Sequence, residues 1–234
     1  MIEFEHVTKK YGNVIALDDV SISLEKGKII GVLGANGSGK STFLKLIAGL
    51  VFPTKGKVLV DGMEVTRKIS RKVAYLSELD VYYDSFTVQD MLEFYASQFS
   101  DFRTEKAYDI LEFMEIQPDK KLRQLSKGGR GRAKIAFTLA REAPILLMDE
   151  PLSGLDPMVR ESIVKGLISF VDLERQTIVM TTHEIDEVEP LLDEAIFLRD
   201  GKVAERVRVD ELRETSRDSV VNRLKKIYKG EERR

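Results

Sequence analysis

The fold is decided by one stretch, Gly34-Ala35-Asn36-Gly37-Ser38-Gly39-Lys40-Ser41-Thr42. It follows the apolar run Ile29–Leu33 and leads into the segment 43–48, so the order is buried strand, glycine-rich turn and amphipathic helix. A phosphate-binding loop requires this context. Glycine at 34, 37 and 39 opens backbone conformations closed to other residues, so successive N–H groups can converge on one anion. An ordinary glycine-rich turn is the alternative, and the Lys-Ser pair directly after the glycines disfavours it.

The side chains that follow the glycines suit the phosphates of a nucleotide. Lys40 would reach the β- and γ-phosphates, where the positive end of the helix dipole adds to its charge. The Ser41 hydroxyl would ligate Mg²⁺, and Thr42 is placed to contact the α-phosphate. The stretch therefore predicts binding of a nucleoside triphosphate with Mg²⁺.

Composition narrows the class of protein. The chain has 234 residues, 43% hydrophobic and 32% charged, which is typical of a globular protein with a mixed-charge surface. A net charge of −2 gives no overall basic field, so no nucleic acid partner is expected. The chain has no cysteine and only two histidines, which excludes disulfides and thiolate metal sites and disfavours a multi-histidine metal centre.

The amino-acid sequence also argues against direct insertion into a membrane. Residues 1–5 lack the basic and apolar regions of a signal peptide. No apolar run approaches the roughly 18 residues of a spanning helix. We expect a cytoplasmic chain, and any membrane component would be a separate protein.

Hydrophobic periodicity predicts an α/β fold. Strand-like alternation dominates the N-terminal part, helical periodicity dominates residues 87–140, and buried strands alternate with helices afterwards. Pro118 is expected to end the second helix of the helical block. We predict four segments, namely an antiparallel β subdomain with the first part of the core (1–86), a helical subdomain (87–140), the second part of the core (141–208) and a charged C-terminal helix or tail (209–234), whose apolar stripe is Val220, Leu224 and Ile227.

A second chemical group follows the apolar run Ile145–Met148. A buried strand that ends in two carboxylates is unfavourable unless a cation waits there. Asp149 would hold Mg²⁺ through a water, opposite Ser41, and Glu150 would orient or deprotonate the water that attacks the γ-phosphate. The alternative is that the pair begins a helix, which Pro151 disfavours.

These features together resemble the ATP-binding-cassette (ABC) family in its single-cassette ATPase form, from Ile2 to about Arg208. The resemblance rests on an ordered set of motifs, Gly34–Thr42, Leu125–Gly129, Ile145–Pro151, Ser153-Gly154-Leu155-Asp156 and Thr181-Thr182-His183. It implies an ATPase with a P-loop NTPase core of mostly parallel sheet, an N-terminal antiparallel β subdomain and a helical insertion.

The resemblance also implies roles for single residues. Tyr11 matches the aromatic residue that stacks on adenine, and His183 matches the residue that contacts the γ-phosphate. Ser126 and Gly128 belong to the signature that caps the γ-phosphate of the opposite protomer, and Asp156 is the carboxylate that crosses the dimer interface. Three of them have a structural alternative: an ordinary surface tyrosine for Tyr11, a satisfied core histidine for His183 and, for Ser126, a helix N-cap that is compatible with phosphate binding.

Three residues depart from the family pattern. Lys127 and Gly129 replace the third and fifth residues of the signature Leu-Ser-Gly-Gly-Gln, and Glu78 stands where the family has glutamine. Lys127 would either add positive charge near the nucleotide or point to solvent. Glu78 can still approach Mg²⁺ or the attacking water, but it adds negative charge near the γ-phosphate. We therefore expect hydrolysis that is slow or dependent on a partner.

The family geometry places the signature and the phosphate loop at opposite ends of one chain. The resemblance therefore implies a second ATPase chain, identical or a close paralogue, bound head-to-tail around two Mg-ATP. It further implies a polytopic membrane permease subunit that holds the chain at the inner face of the cell membrane, with Val81, Tyr82, Tyr83 and Phe86 as its docking groove, and export as the expected direction. Burial of these aromatics within the helical block is the alternative.

Two other functions stay open from the sequence. One is a nucleotide sensor that barely hydrolyses ATP, suggested by Glu78 and Gly129. The other is a soluble cassette protein that acts on ribosomes or nucleic acid, against which the nearly balanced charge and the lack of a second cassette argue.

Overall fold

The computed structural model describes residues 1–79, 83, 85–216 and 218–229, with the backbone alone at 215, 216 and 229. Its two β-sheets and its helices confirm the predicted α/β class. In chain order the strands are β1 (Ile2–Tyr11), β2 (Val14–Leu24), β3 (Ile29–Leu33), β4 (Lys55–Val60), β5 (Met63–Glu64), β6 (Val73–Leu76), β7 (Ile145–Asp149), β8 (Thr177–Thr181), β9 (Glu194–Arg199) and β10 (Lys202–Arg208).

The helices surround and interrupt these strands. They are α1 (Lys40–Ile47), α2 (Val88–Gln98), α3 (Thr104–Phe113), α4 (Lys127–Leu139), α5 (Pro157–Phe170), α6 (Ile185–Val188), α7 (Val209–Ser216) and α8 (Val220–Lys229), with 3-10 turns at Arg67–Arg71, Leu122–Gln124 and Glu189–Leu191.

The smaller sheet is antiparallel, in the order β2-β1-β4-β5. Its two longest strands, β1 and β2, pair along a hairpin that turns at Gly12 with φ 57°. Its apolar face packs on α1, where the rings of Phe4 and Phe43 stack with centroids 4.2 Å apart. This packing holds the Tyr11 end of the hairpin beside the start of α1.

The larger sheet has six strands in the order β10-β9-β3-β8-β7-β6. All neighbouring pairs from β9 to β6 are parallel, and β10 is antiparallel at one edge. Strand β7 is buried on both faces: Leu146 and Met148 join one core cluster and Ile145 and Leu147 the other. The carboxyl ends of β3, β7 and β8 therefore meet at one edge of the sheet, which is where ligands bind in open α/β sheets.

The prediction that Pro118 ends the second helix of the helical block was wrong. Helix α3 ends earlier, at Phe113, because Glu115 adopts a left-handed conformation with φ 55°. The N–H of Ile116 then donates to the carbonyl of Leu111 at 2.9 Å, which closes the helix end. Phe113, the last residue of α3, is 41% exposed and packs edge-on against Phe170.

The charged C-terminal segment forms two helices, α7 and α8. The predicted apolar stripe is confirmed, because Val220 is buried and Leu224 and Ile227 pack against the core. The C-terminal helix is therefore attached to the body of the protein.

One buried guanidinium joins the helical block to the large sheet. The side chain of Arg141 is 4% exposed and donates to both carboxylate oxygens of Asp101. It also donates to the carbonyls of Ser70 and Val73 and lies 3.8 Å from the ring centroid of Phe99. A planar five-donor group satisfies this geometry, which an ammonium group does not.

We expect Arg141→Met to lower the free energy of unfolding by about 3–5 kcal/mol, because it leaves the Asp101 carboxylate and two carbonyls without their donor. Urea denaturation followed by circular dichroism measures the change. The matched control is Arg103→Met, which breaks an ion pair with Glu142 whose side chains are 55% and 49% exposed. Equal stability of the two variants would contradict the role given to Arg141.

Candidate nucleotide-binding site

The phosphate loop joins β3 to α1 and leaves no room for side chains at its ends. A Cβ at Gly34 would lie 2.3 Å from the carbonyl oxygen of Leu198. Gly39 has φ 107°, and a Cβ there would lie 2.4 Å from the carbonyl oxygen of Ala16. Close backbone approach therefore requires glycine at both positions, and the positive φ of Gly39 is a second reason for glycine there.

Lys40 is buried at the start of α1, with its ammonium folded back over the loop. Its Nζ donates to the carbonyls of Gly34 at 2.9 Å and Ala35 at 3.3 Å. It also lies 3.8 Å from Oε1 of Glu150. Backbone dipoles and one carboxylate thus hold the cation where the phosphates of a nucleotide would enter.

The Asp149 carboxylate is 2% exposed and is satisfied by three hydroxyl groups. Ser41 donates to Oδ1 at 2.9 Å, Thr181 donates to Oδ1 at 2.8 Å, and Tyr75 donates to Oδ2 at 3.0 Å. Burial, followed by the charge of Asp149, raises the pKa of Tyr75 well above its ordinary range, so the phenol stays a donor at neutral pH.

These oxygens fit a magnesium ion bound mainly by a nucleotide. Mg²⁺ prefers hard oxygen ligands and is commonly held by one or two carboxylates together with phosphates and water. The Ser41 hydroxyl and the Asp149 carboxylate are adjacent, and Glu78 lines the same cavity as Ser41. Among the described residues, no group of three or more His, Asp or Glu side chains is placed to hold a metal ion by itself, so phosphates and water would have to complete the coordination.

Glu150 does not begin a helix, so the alternative for the acidic pair was wrong. The residue has φ 51°, and its N–H donates to the carbonyl and hydroxyl oxygens of Thr181 at 3.1 and 3.0 Å. The next helix, α5, begins at Pro157 and is capped by Asp156, whose carboxylate accepts the N–H of Val159 at 3.1 Å. The chain turns after β7, and the turn aims Glu150 toward β8.

The Glu150 carboxylate is paired with His183. It accepts the His183 N–H at 3.1 Å, and the ring Nδ1 lies 2.8 Å from Oε2 of Glu150. The Glu150 side chain is 8% exposed and that of His183 is 52% exposed. His183 is therefore not a satisfied core histidine; its ring lies at the surface of the site with one nitrogen held by the acid.

A cavity of about 500 Å³ collects most of the predicted nucleotide contacts. The predicted residues that line it are Tyr11, Asn36, Gly37, Gly39, Lys40, Ser41, Thr42, Glu78, Glu150 and His183. Gly34 and Ser38 are buried beneath it. Sequence reasoning missed Val14 and Ala16, which also line it; their i, i+2 spacing on β2 was the available signal.

Tyr11 stands at the edge of this cavity, at the end of β1. Its side chain is 45% exposed, and Val14 across the hairpin is 67% exposed. The ammonium of Lys9 lies 4.9 Å from the centroid of the Tyr11 ring. It also donates a hydrogen bond to the carbonyl of Phe52. The ring is thus an exposed flat surface next to the phosphate loop, with the geometry to stack on a base.

Three predicted contacts lie apart from this cavity. Ser126 caps α4 and accepts the N–H of Gly129 at 3.0 Å, so the N-cap alternative is confirmed. A Cβ at Gly128 would lie 3.7 Å from Oδ2 of Asp156, which makes these two residues neighbours. Ser126, Gly128 and Asp156 do not line the cavity beside the phosphate loop.

Lys127 and Glu78, two of the residues that depart from the family pattern, lie close to the proposed site. The ammonium of Lys127 occupies the space that a Cβ at Gly154 would need, so it points to its own chain. Lys127 and Glu78 line a second cavity of about 350 Å³ together with Glu150 and Lys134. Lys134 donates to the carbonyls of Glu78 and Leu79 at 3.2 and 3.4 Å.

The predicted docking groove is described only in part. Val81 and Tyr82 lie outside the described residues. Tyr83 is 55% exposed, and its ring lies 4.8 Å from that of Phe86 and 5.9 Å from that of Phe94. Phe86 is partly buried and packs against the core, whereas Tyr83 is exposed.

Within the part of the chain that the structure describes, no helix has the length and apolar content needed to cross a bilayer.

Comparison with known proteins gives consistent matches. A family model described as ABC transporter matches residues 17–153. The ABC transporter ATP-binding protein YtrB of Bacillus subtilis (strain 168) is 30% identical over 216 residues, which span 92% of this chain and 74% of that protein. The petrobactin import ATP-binding protein YclP of the same bacterium is 31% identical over 227 residues, spanning 92% and 90%.

A solved structure agrees in fold. The dimeric, post-hydrolysis structure of the ATP-binding cassette MJ0796, bound to ADP and Pi, superposes with a TM-score of 0.79 at 28% identity and covers 89% of this chain and 99% of that one. The phosphate loop, the buried Asp149 and the matched family model lead to one assignment. The chain belongs to the ABC transporter family, as a single-cassette ATPase that binds and hydrolyses ATP.

Proposed function

We propose that two copies of this chain, or one copy and a close paralogue, bind head-to-tail around two Mg-ATP and drive a separate membrane permease. The observation that carries the proposal is the separation of the predicted nucleotide contacts into two groups within one chain. One group lines the cavity at the phosphate loop, and the other consists of Ser126, Gly128 and Asp156. A second chain supplies the missing group to each site, and a twofold dimer forms two complete sites.

In this proposal the phosphate loop and α1 bind the nucleotide. Tyr11 stacks on the base, Lys40 exchanges its two carbonyl partners for the β- and γ-phosphates, and Thr42 contacts the α-phosphate. Ser126 and Gly128 of the other chain close over the γ-phosphate at the N-terminus of α4, where free N–H groups and the helix dipole favour an anion.

The acids divide the chemistry between them. Asp149 and Ser41, with Glu78 in the same cavity as Ser41, would hold Mg²⁺, and the ion would neutralise negative charge on the nucleotide phosphates. Glu150 orients the attacking water and accepts its proton, and His183 donates to the γ-phosphate. The existing contact between Glu150 and His183 supports this pairing of roles, since both groups already converge on one point.

The transport role is supported by the family and by the exposed Tyr83 next to Phe86, which suits a short helix of a permease. Such a permease would hold the chain at the inner face of the cell membrane. The export direction expected from the sequence stays a prediction, because the relative YclP is an import ATP-binding protein. Copurification with a polytopic chain from detergent-solubilised membranes tests the permease, and its absence would favour a non-transport cassette.

We expect Lys40→Ala to weaken binding of a fluorescent ATP analogue about tenfold or more, because charge-assisted hydrogen bonds to the phosphates are lost. Fluorescence titration with Mg²⁺ present measures the affinity. Lys45→Ala is the matched control, since this lysine is on the same helix but does not line the cavity. Wild-type affinity and turnover in Lys40→Ala would contradict the site.

We expect Glu150→Gln to lower ATP turnover about 100-fold or more, since general-base catalysis contributes about 10²–10⁴. The variant should still bind ATP, and the uncleaved nucleotide should hold two chains together. Phosphate release measures turnover, and light scattering after size exclusion measures the dimer in Mg-ATP.

Glu161→Gln is the control for this experiment, because Glu161 lies on the surface of α5 with its side chain 64% exposed. It should hydrolyse ATP at the wild-type rate and return to monomers. Equal turnover in wild type and Glu150→Gln would instead favour the nucleotide sensor.

A further inference from the structure

The C-terminal helix α8 contacts the phosphate loop through one side chain. The hydroxyl oxygen of Tyr228 accepts the backbone N–H of Ala35 at 2.9 Å. The same hydroxyl donates to the carbonyl of Leu198 at 2.8 Å. One phenol therefore bridges the second residue of the loop and the end of β9, the strand beside β3.

The bond to Ala35 controls a peptide plane that also holds Lys40. The N–H of Ala35 and the carbonyl of Gly34 belong to one planar trans peptide and point in opposite directions. That carbonyl accepts the Lys40 ammonium at 2.9 Å. Rotation of this peptide would break both hydrogen bonds. Tyr228 therefore fixes the N–H side of the peptide, and Lys40 is bound at its carbonyl side.

The tyrosine is held by the docking of α8. Arg199 donates to the carbonyl of Ile227 at 2.7 Å, and its guanidinium lies 5.5 Å from the Tyr228 ring centroid. Arg223 makes a two-pronged ion pair with Glu205 of β10. These contacts fix α8 on the β9–β10 hairpin, which also supports the loop through the N–H of Gly201, a donor to the Ser38 carbonyl at 3.2 Å.

We propose that Tyr228 is a positioning residue for ATP binding: it presets the Gly34–Ala35 peptide so that Lys40 faces the incoming phosphates. A preset loop loses less conformational freedom when the ligand binds. Because coupling between binding and docking is reciprocal, bound nucleotide must stabilise the docked position of α8 in turn. The inference rests on ATP binding and is independent of the permease and of the direction of transport.

The test is Tyr228→Phe, which removes the hydroxyl and keeps the ring. We expect KM for ATP and the Kd of a fluorescent ATP analogue to rise about three- to tenfold, the effect of one net hydrogen bond. The kcat should stay within about twofold, because Tyr228 contacts neither Glu150 nor Asp149. Tyr108→Phe is the matched control, since Tyr108 is an exposed tyrosine of the helical block and should leave both constants unchanged.

A second measurement does not depend on a variant. Amide hydrogen exchange of residues 220–228 in the wild-type chain should slow when a non-hydrolysable ATP analogue and Mg²⁺ are added. Unchanged exchange, an unchanged KM in Tyr228→Phe, or a fall in kcat without a rise in KM would each overturn the proposal. Failure of the wild type to bind the analogue would overturn ATP binding itself, whereas wild-type affinity in Tyr228→Phe overturns only the role of Tyr228.

Discussion

The site depends on one buried charge, the carboxylate of Asp149. A carboxylate that is 2% exposed is unfavourable unless hydrogen bonds replace its water. Its three donors come from three different elements, Ser41 from α1, Tyr75 from β6 and Thr181 from β8. The strand order places β6 and β8 on either side of β7, so the topology of the sheet brings two of these donors to the acid. The third arrives because the phosphate loop follows β3 at the same edge.

Thr181 connects this acid to the neighbouring one. Its hydroxyl donates to Asp149, and the same oxygen accepts the N–H of Glu150. That second bond holds Glu150 in a left-handed conformation, which costs free energy in a residue other than glycine and persists where the surroundings determine it. As a result, the strained turn sends the Glu150 carboxylate toward His183 and Lys40, whereas Asp149 is bound by the three hydroxyl groups. Two adjacent carboxylates thus receive different partners.

Local patterns were enough to predict the phosphate loop, the acidic end of β7 and the helical block, because each is encoded within a short segment. The C-terminal boundary of α3 was not, because the left-handed Glu115 ends the helix before Pro118 and no residue type signals it. Contacts between distant segments left no local signal either. Tyr228 is 193 residues from Ala35, and Arg141 joins Asp101 to the carbonyl of Val73 at the start of β6. Such pairs form only once the chain has folded. The sequence alone therefore shows these side chains but does not predict which groups they will contact.

The departures from the family pattern can be weighed by the charges around them. Glutamate in place of glutamine at position 78 adds a negative charge near Glu150, and alone it would oppose the binding of a γ-phosphate. The cavity that both acids line also contains the side chains of Lys127 and Lys134. Lys127 is itself a departure, and its ammonium lies against Gly154 although the residue as a whole is exposed. Glu78 and Lys127 therefore line one cavity, where their opposite charges offset each other, so the net charge of this cavity changes less than either substitution alone would change it.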